Sequence, residues 1–354
     1  HASKAFTFDN KGNLYVAVGA PSNACQTEER TPGSPGIEPC PLLEEHGGIW
    51  RFDANKTNQT FSAAARYATG LRNVVGLDWN TTTSALFVMQ HGRDQFHTLW
   101  PDFYTEEQSA ELPAEAMYEV KEGDRFAWPY GYYDQQKEKL MLSPEYGGNG
   151  KITIADSKFA GQFKEPVMGF PGHWAPNDLL FYTGKQFPEK YRNGAFITFI
   201  GSWNRAPLPQ GGYKIVFVPF KDGKPSGKYE TFADGFAGIN PIPDRGAAKY
   251  RPMGIAIGPD GTLYISDYKK GRIWRVVYTG KSAPTTSTTV KVPGNTIKAQ
   301  PTDSVSDSSL TAATLFQKME CATCHTVDPE VPASTGPSLH GLYGREVTVQ
   351  NGDK

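Results

Sequence analysis

Along the first 280 residues, apolar and polar positions alternate in short runs broken by Gly, Asp and Asn, with few stretches at helical spacing. Ala5-Phe-Thr-Phe8 leads into the turn Asp9-Asn-Lys-Gly12 and then into Asn13-Leu-Tyr-Val-Ala-Val18. The same unit returns as Gly254-Ile-Ala-Ile257, Gly258-Pro-Asp-Gly261 and Thr262-Leu-Tyr-Ile-Ser266. A looser copy runs from Gly76-Leu-Asp-Trp79 through Asn80-Thr-Thr-Thr83 to Ala85-Leu-Phe-Val-Met89. Strand, tight turn, strand is a hairpin signal. A closing strand also repeats, as Gly48-Ile-Trp-Arg-Phe52 and Arg272-Ile-Trp-Arg-Val276. A hairpin with a closing strand, recurring at intervals, predicts an all-β β-propeller rather than a sandwich, because radial repetition leaves only short protected edges. About four blades are legible, fewer than a closed six-bladed-type ring needs, so the propeller is expected to be incomplete.

From about Thr279 to Ser309 the chain turns to Ser, Thr, Pro and Lys with almost no large apolar side chain, which is linker composition. Beyond it, Leu310, Leu315, Phe316 and Met319 fall at helical spacing and lead into Cys321-Ala-Thr-Cys324-His325. Two thiols spaced C-x-x-C with a trailing histidine are the attachment motif of a c-type haem: the sulfurs meet the vinyl groups and His325 becomes the proximal iron ligand. A zinc site would want a second ligand pair, and only His340 follows. Thr335-Gly-Pro-Ser-Leu-His-Gly-Leu-Tyr-Gly-Arg345 suits the early part of the same small domain. The predicted domains are therefore a propeller over 1–280, a linker over 281–308 and a partial all-α class I cytochrome c domain over 309–354. Met319 precedes the motif and is expected in that domain's core; the distal iron ligand is expected outside this chain.

The formal net charge of −1, with Lys and Arg scattered, gives no footprint for nucleic acid or for a membrane surface. No apolar run approaches the ~20 residues that span a bilayer. Haem attachment implies an exported, periplasmic protein, although no signal peptide is read; with His1 at the start and a polar Gln350–Lys354 at the end, the chain reads as a segment cut at both ends. The remaining cysteines, Cys25 and Cys40, flank a Pro/Gly/Glu-rich stretch, and a disulfide closing that loop is expected in an oxidising compartment.

The stretch from His1 to Gly19 resembles the glucose/sorbosone dehydrogenase family, soluble propeller quinoproteins that use pyrroloquinoline quinone (PQQ) and calcium. Further matches follow in order: Gly70-Leu-Arg-Asn73, Gln90-His-Gly-Arg-Asp94, Asp124-Arg-Phe-Ala-Trp-Pro129, Ser202-Trp-Asn-Arg205 and Lys249-Tyr-Arg-Pro252. The resemblance implies catalytic roles for His1 and Arg72, with His1 as the general base on a sugar hydroxyl, a task suited to imidazole. PQQ is planar and carries three carboxylates, so Arg72, Arg205 and Arg251 are expected to bind them bidentately. Asn73 would add hydrogen bonds, Trp203 a stacking face, and His173 with Trp174 would line the pocket. Calcium, a hard cation, is expected on the backbone carbonyls of Gly92 and Arg93, although the family's proline is an arginine here and an ion-pairing role for Arg93 is the competing reading. His91 is read as ordering its loop; His46 and His97 carry no special signal.

The function implied is oxidation of a sugar, or of a related alcohol or aldehyde, by PQQ, with electrons passed singly to the haem and on to a cytochrome or respiratory acceptor. The alternative is a carbohydrate- or protein-binding propeller fused to an electron-transfer cytochrome, which would not need the arginine set. A calcium-dependent propeller lactonase would want a ring of acidic and Asn ligands that the sequence does not offer.

Overall fold

The three hairpins expected from their turns all form, and each turn is held by the residue that marked it. In the first, the Asp9 carboxylate accepts from the backbone N–H groups of Lys11 and Asn13, each at 2.8 Å. In the second, Asn80 Oδ1 accepts from Thr82 N at 3.0 Å; in the third, Asp260 Oδ1 accepts from Thr262 N at 3.0 Å. Short polar side chains thus stand in for backbone partners. The computed structural model describes residues 5–280. His1, the linker, the haem motif Cys321–Cys324–His325 and the expected domain over 309–354 lie outside the described residues.

Four antiparallel sheets follow one another. The first is Phe6–Phe8, Asn13–Val18, Gly48–Asp53 and Arg66–Thr69; the second is Val74–Asn80, Ala85–Gln90, Glu115–Val120 and Met168–Phe170. The third is Pro176–Phe181, Ala195–Phe199, Lys214–Val218 and Glu230–Ala233, and the fourth is Pro252–Ile257, Leu263–Asp267 and Ile273–Val276. The repeated closing strands pair as expected, with Asn13 opposite Asp53 and Leu263 opposite Val276. The fold is mostly β and propeller-like, and the described residues account for four blades.

The sheets stack face to face, so the inner ones bury both faces. Leu86 and Val88 join a core with Ile49 and Leu77 toward the first sheet, while Phe87 and Met89 join one with Phe181 and Ile197 toward the third. Phe196, next to Ile197, packs the other way against Ile255 and Ile265 of the fourth sheet. Period-two alternation therefore appears here as apolar against apolar.

The first strands of successive sheets lie side by side, and Gly76 permits this: a Cβ there would come within 2.8 Å of the Asp178 backbone. Two aspartates tie these strands together. Asp78 Oδ2 accepts from Phe181 N at 2.7 Å, and Asp178 Oδ2 accepts from Ile255 N at 2.9 Å. Their other oxygens accept from Trp79 N and Leu179 N, at 2.8 and 2.9 Å. Burial raises the pKa of each carboxyl from 3.8 to about 6.

A carboxyl whose pKa is raised on folding adds stability that is complete below 3.8 and lost as pH rises through 6. Asp178→Asn removes this term. Urea unfolding should show wild type losing stability relative to the variant between about pH 4 and 6, by up to about 1.4 kcal/mol per pH unit; a pH-independent difference would refute the assignment.

Candidate active site

Chain direction gathers the candidate residues at one end of the sheets. Arg72 and Asn73 precede a first strand, as do His173 and Arg251; His91–Asp94 and Trp203–Arg205 follow second strands. In an antiparallel sheet the start of strand one and the end of strand two lie at the same end. Between the second and third strands of the second sheet, the connection also carries two short helices, α1 (Phe96–Leu99) and α2 (Glu106–Glu111).

A cavity of about 420 Å³ opens at this end, lined among others by Arg30, Arg72, Asp94, Glu115, His173 and Trp203. Asp94 is its centre. One carboxylate oxygen lies 3.4 Å from Arg72 Nη2 and 3.6 Å from Arg30 Nη2. The other accepts from Asn204 Nδ2 at 2.9 Å and stands 3.6 Å from His173 Nδ1. Burial alone would raise the carboxyl's pKa, but His173, Arg72 and Arg30 together hold it well below the usual range. His173 responds in the opposite sense. Burial disfavours its cationic form, yet Asp94 and the Ser109 carbonyl, 2.8 Å from Nε2, raise its pKa overall.

Asn23, 1% exposed, fixes this group from the first sheet's loop. Its amide exchanges two hydrogen bonds with the Asp94 backbone, both at 2.9 Å, and its Oδ1 also accepts from Arg72 Nη2 at 3.2 Å. Two residues on, the Cys25–Cys40 disulfide expected from the sequence closes the loop, with an S–S distance of 2.11 Å and a Cα–Cα distance of 6.2 Å. A loop of that size is worth about 3 kcal/mol on the chain-entropy model.

The sequence-based candidates divide. Arg72, Gly92, His91, His173 and Trp203 meet at the cavity. Arg72 is 5% exposed and donates through Nη1 to the Gly92 carbonyl at 2.7 Å, while its buried Nε–H has no acceptor. Trp203 is 64% exposed, with the Arg245 guanidinium 5.2 Å from its ring centroid. His91 reaches across to the Pro176 carbonyl at 2.6 Å, as a loop-ordering residue would.

The other candidates do not line the cavity. Arg205 spends its donors on the carbonyls of Ala110 and Gly172, at 3.0 and 2.7 Å, and on the Glu111 carboxylate, pinning the end of α2. Arg251 donates to the carbonyls of Ile200 and Gly201, at 3.0 and 2.7 Å. Trp174 packs edge-on to Phe199 and Tyr229 beside the core of the second and third sheets. Asn73 is buried, and its carbonyl accepts from His91 N at 2.8 Å. Arg93 forms a buried pair with Glu145 at 2.5 Å and lies over the Phe96 ring, as its ion-pairing reading required.

The residues fit an anionic planar cofactor in two respects: an unspent buried guanidinium N–H on Arg72 and an open aromatic face on Trp203. Calcium fares differently. The Gly92 carbonyl already faces the Arg72 guanidinium. Among the described residues no group of three or more His, Cys, Asp or Glu side chains is arranged to hold a metal.

The chain is thus a mostly β, propeller-like protein with a charged, concave loop end. A family model described as TrAA12-like matches residues 6–279, and the chain belongs to that family. An uncharacterized protein of Borreliella burgdorferi is 29% identical over 214 residues, which is 60% of this chain and 48% of that protein; the chain thus spans about half the length of this relative. Among solved structures, the calcium structure of the Trichoderma reesei carbohydrate-active enzyme family AA12 aligns with a TM-score of 0.55 at 21% identity, over 77% of this chain and 67% of that one. The holo form of the pyranose dehydrogenase PQQ domain from Coprinopsis cinerea aligns with a TM-score of 0.56 at 18% identity, over 78% and 70%. At such identities these two establish the shared fold.

Asp94→Asn removes the charge that favours the cationic form of His173. By NMR titration, the His173 pKa should fall to or below the ordinary imidazole value of about 6.5; an unchanged value would mean that Asp94 does not govern the ring.

Proposed function

We propose that the chain is the propeller part of a PQQ-dependent dehydrogenase that oxidises a sugar or a related alcohol or aldehyde and passes the electrons to a c-type haem at Cys321, Cys324 and His325. The observation that carries this reading is Arg72: a buried guanidinium on a cavity wall, with one N–H unspent, beside an exposed indole. Such a pair suits a flat carboxylated ligand. The names of the neighbouring AA12 and PQQ-domain structures support the same assignment.

Bound PQQ supplies a two-electron acceptor; the chain's residues supply the rest. Arg72 holds a carboxylate and is itself aimed by Gly92, Asn23 and Asp94. Trp203 gives the stacking face. His173 lines the wall with its ring anchored on the Ser109 carbonyl and its cationic form favoured by Asp94. His1 takes the proton from the substrate hydroxyl in this reading. Arg205 and Arg251 act as braces for the loops that frame the cavity. A haem attached at Cys321 and Cys324 would be held by His325 as its proximal iron ligand and would supply a one-electron acceptor. Haem attachment implies an exported protein, and among the described residues no helix is long and apolar enough to cross a membrane.

In the full-length protein supplied with PQQ, calcium and a panel of aldoses, the visible bands of reduced haem should appear only when PQQ and a sugar are both present. A haem reducible by dithionite that stays oxidised under the whole panel would instead favour the binding-module reading. Arg72→Gln should weaken PQQ binding roughly 10- to 100-fold, the worth of one charge-assisted hydrogen bond, measured by direct titration of PQQ.

A further inference from the structure

A second cavity, of about 360 Å³, adjoins the first and shares His173 and Asn204 with it. The wall between them is built from the central charged group: Asp94 holds Asn204, and Gln95, which lines the second cavity, accepts from Arg30, which lines the first. The two spaces therefore lie on either side of this charged group, with His173 and Asn204 lining both.

The lining of the second part differs in character. Gln95, Thr98, Glu106 and Ser109 bring neutral or acidic hydrogen-bonding groups from α1, α2 and the turn before them, while Ala206 and Pro207 bring an apolar surface. Apart from the shared His173, the imidazole of His97, whose Nδ1 meets the Tyr104 carbonyl at 2.7 Å, is its one basic group. There is no arginine or lysine here to take a carboxylate or phosphate. Hydroxyl-seeking side chains and an apolar surface in one small cavity suit a neutral polyhydroxylated ring, whose rim is polar and whose face is C–H.

The helix α2, which carries Glu106 and Ser109 of this lining, is held in place. Thr105 and Gln108 close a capping box at the start of α2, with bonds of 3.2 and 2.9 Å. At its end, the carbonyls of Ser109, Ala110 and Glu111 accept from His173, from Arg205, and from Gly172 N with Gln135 Nε2. The α2 side of this cavity is therefore anchored at both ends of the helix.

We propose that the second cavity binds the sugar unit adjoining the one that the cofactor in the first cavity would oxidise, so that the chain prefers an oligosaccharide to a monosaccharide. This rests on the sugar-oxidising reading above for the chemistry of the first cavity. Glu106 and Thr98 are the contacts best placed to be tested, because both are exposed and neither holds the fold together.

The test is calorimetric titration of the full chain, loaded with PQQ, using glucose, maltose and cellobiose, alongside turnover of each sugar. At least one disaccharide should bind roughly tenfold more tightly than glucose, the gain of a few added hydrogen bonds. Thr98→Trp, which fills the second cavity, should abolish that gain, and Glu106→Ala should reduce it. Disaccharides binding no more tightly than glucose would overturn the inference, as would a gain that survives both substitutions. Turnover of glucose without a disaccharide preference would sink this inference alone. Tighter disaccharide binding without turnover of any sugar would sink the dehydrogenase reading and leave the oligosaccharide site standing.

Discussion

One carboxylate organises the functional end of this protein. Asp94 receives two guanidinium groups, an imidazole and an amide side chain, contributed by the loops of three sheets. A buried carboxylate without such partners would be protonated or excluded from the site. With them it is held ionised, and in return it fixes where its partners point. Arg72 takes its orientation from Asp94, Asn23 and Gly92, the cationic form of His173 is favoured by Asp94, and Asn204 is drawn to the junction of the two cavities. The same arrangement explains why the cavity is charged yet nearly balanced: cations are present, but most of their hydrogen-bonding capacity is committed.

Beneath this end, the sheets supply a frame of a different kind. Aliphatic and aromatic side chains on alternate positions pack into separate cores, so an inner sheet is a wall shared by two interiors. The aspartates at 78 and 178 join the inner strands with backbone hydrogen bonds from one sheet to the next, at the line where Gly76 lets the chains approach closely. The loops that hold Arg72 and His173 lead directly into those strands.

Where a turn residue determines local geometry, the sequence was legible. Asp9, Asn80 and Asp260 marked their hairpins because each accepts hydrogen bonds within four residues of itself. The third sheet was not visible in the same way. Its first two strands are joined by a long connection without such a turn, and Ala195-Phe-Ile-Thr-Phe199 is apolar on both faces because both are buried. The site was partly legible. The Gln90–Asp94 segment was singled out for its glycine carbonyl, while the aspartate at its end proved to be the hub. Arg205 and Arg251 matched family segments but serve loop carbonyls, partners that become visible only in three dimensions. Asn23 had no signal beyond standing two residues before a cysteine. Its importance comes from pairing with a backbone 71 residues away.

The capping of α2 has a consequence for how a ligand would be received. Where α2 lines the cavity, its last carbonyls are already satisfied by His173, Arg205 and Gln135, so that part has little ordering left to do when a guest arrives. The entropy of arranging that surface was spent during folding, so an incoming ligand loses mainly its own freedom and that of the water it displaces. Association with such a surface should resemble docking onto a rigid template, with selectivity set by the guest's shape more than by the host's adaptation.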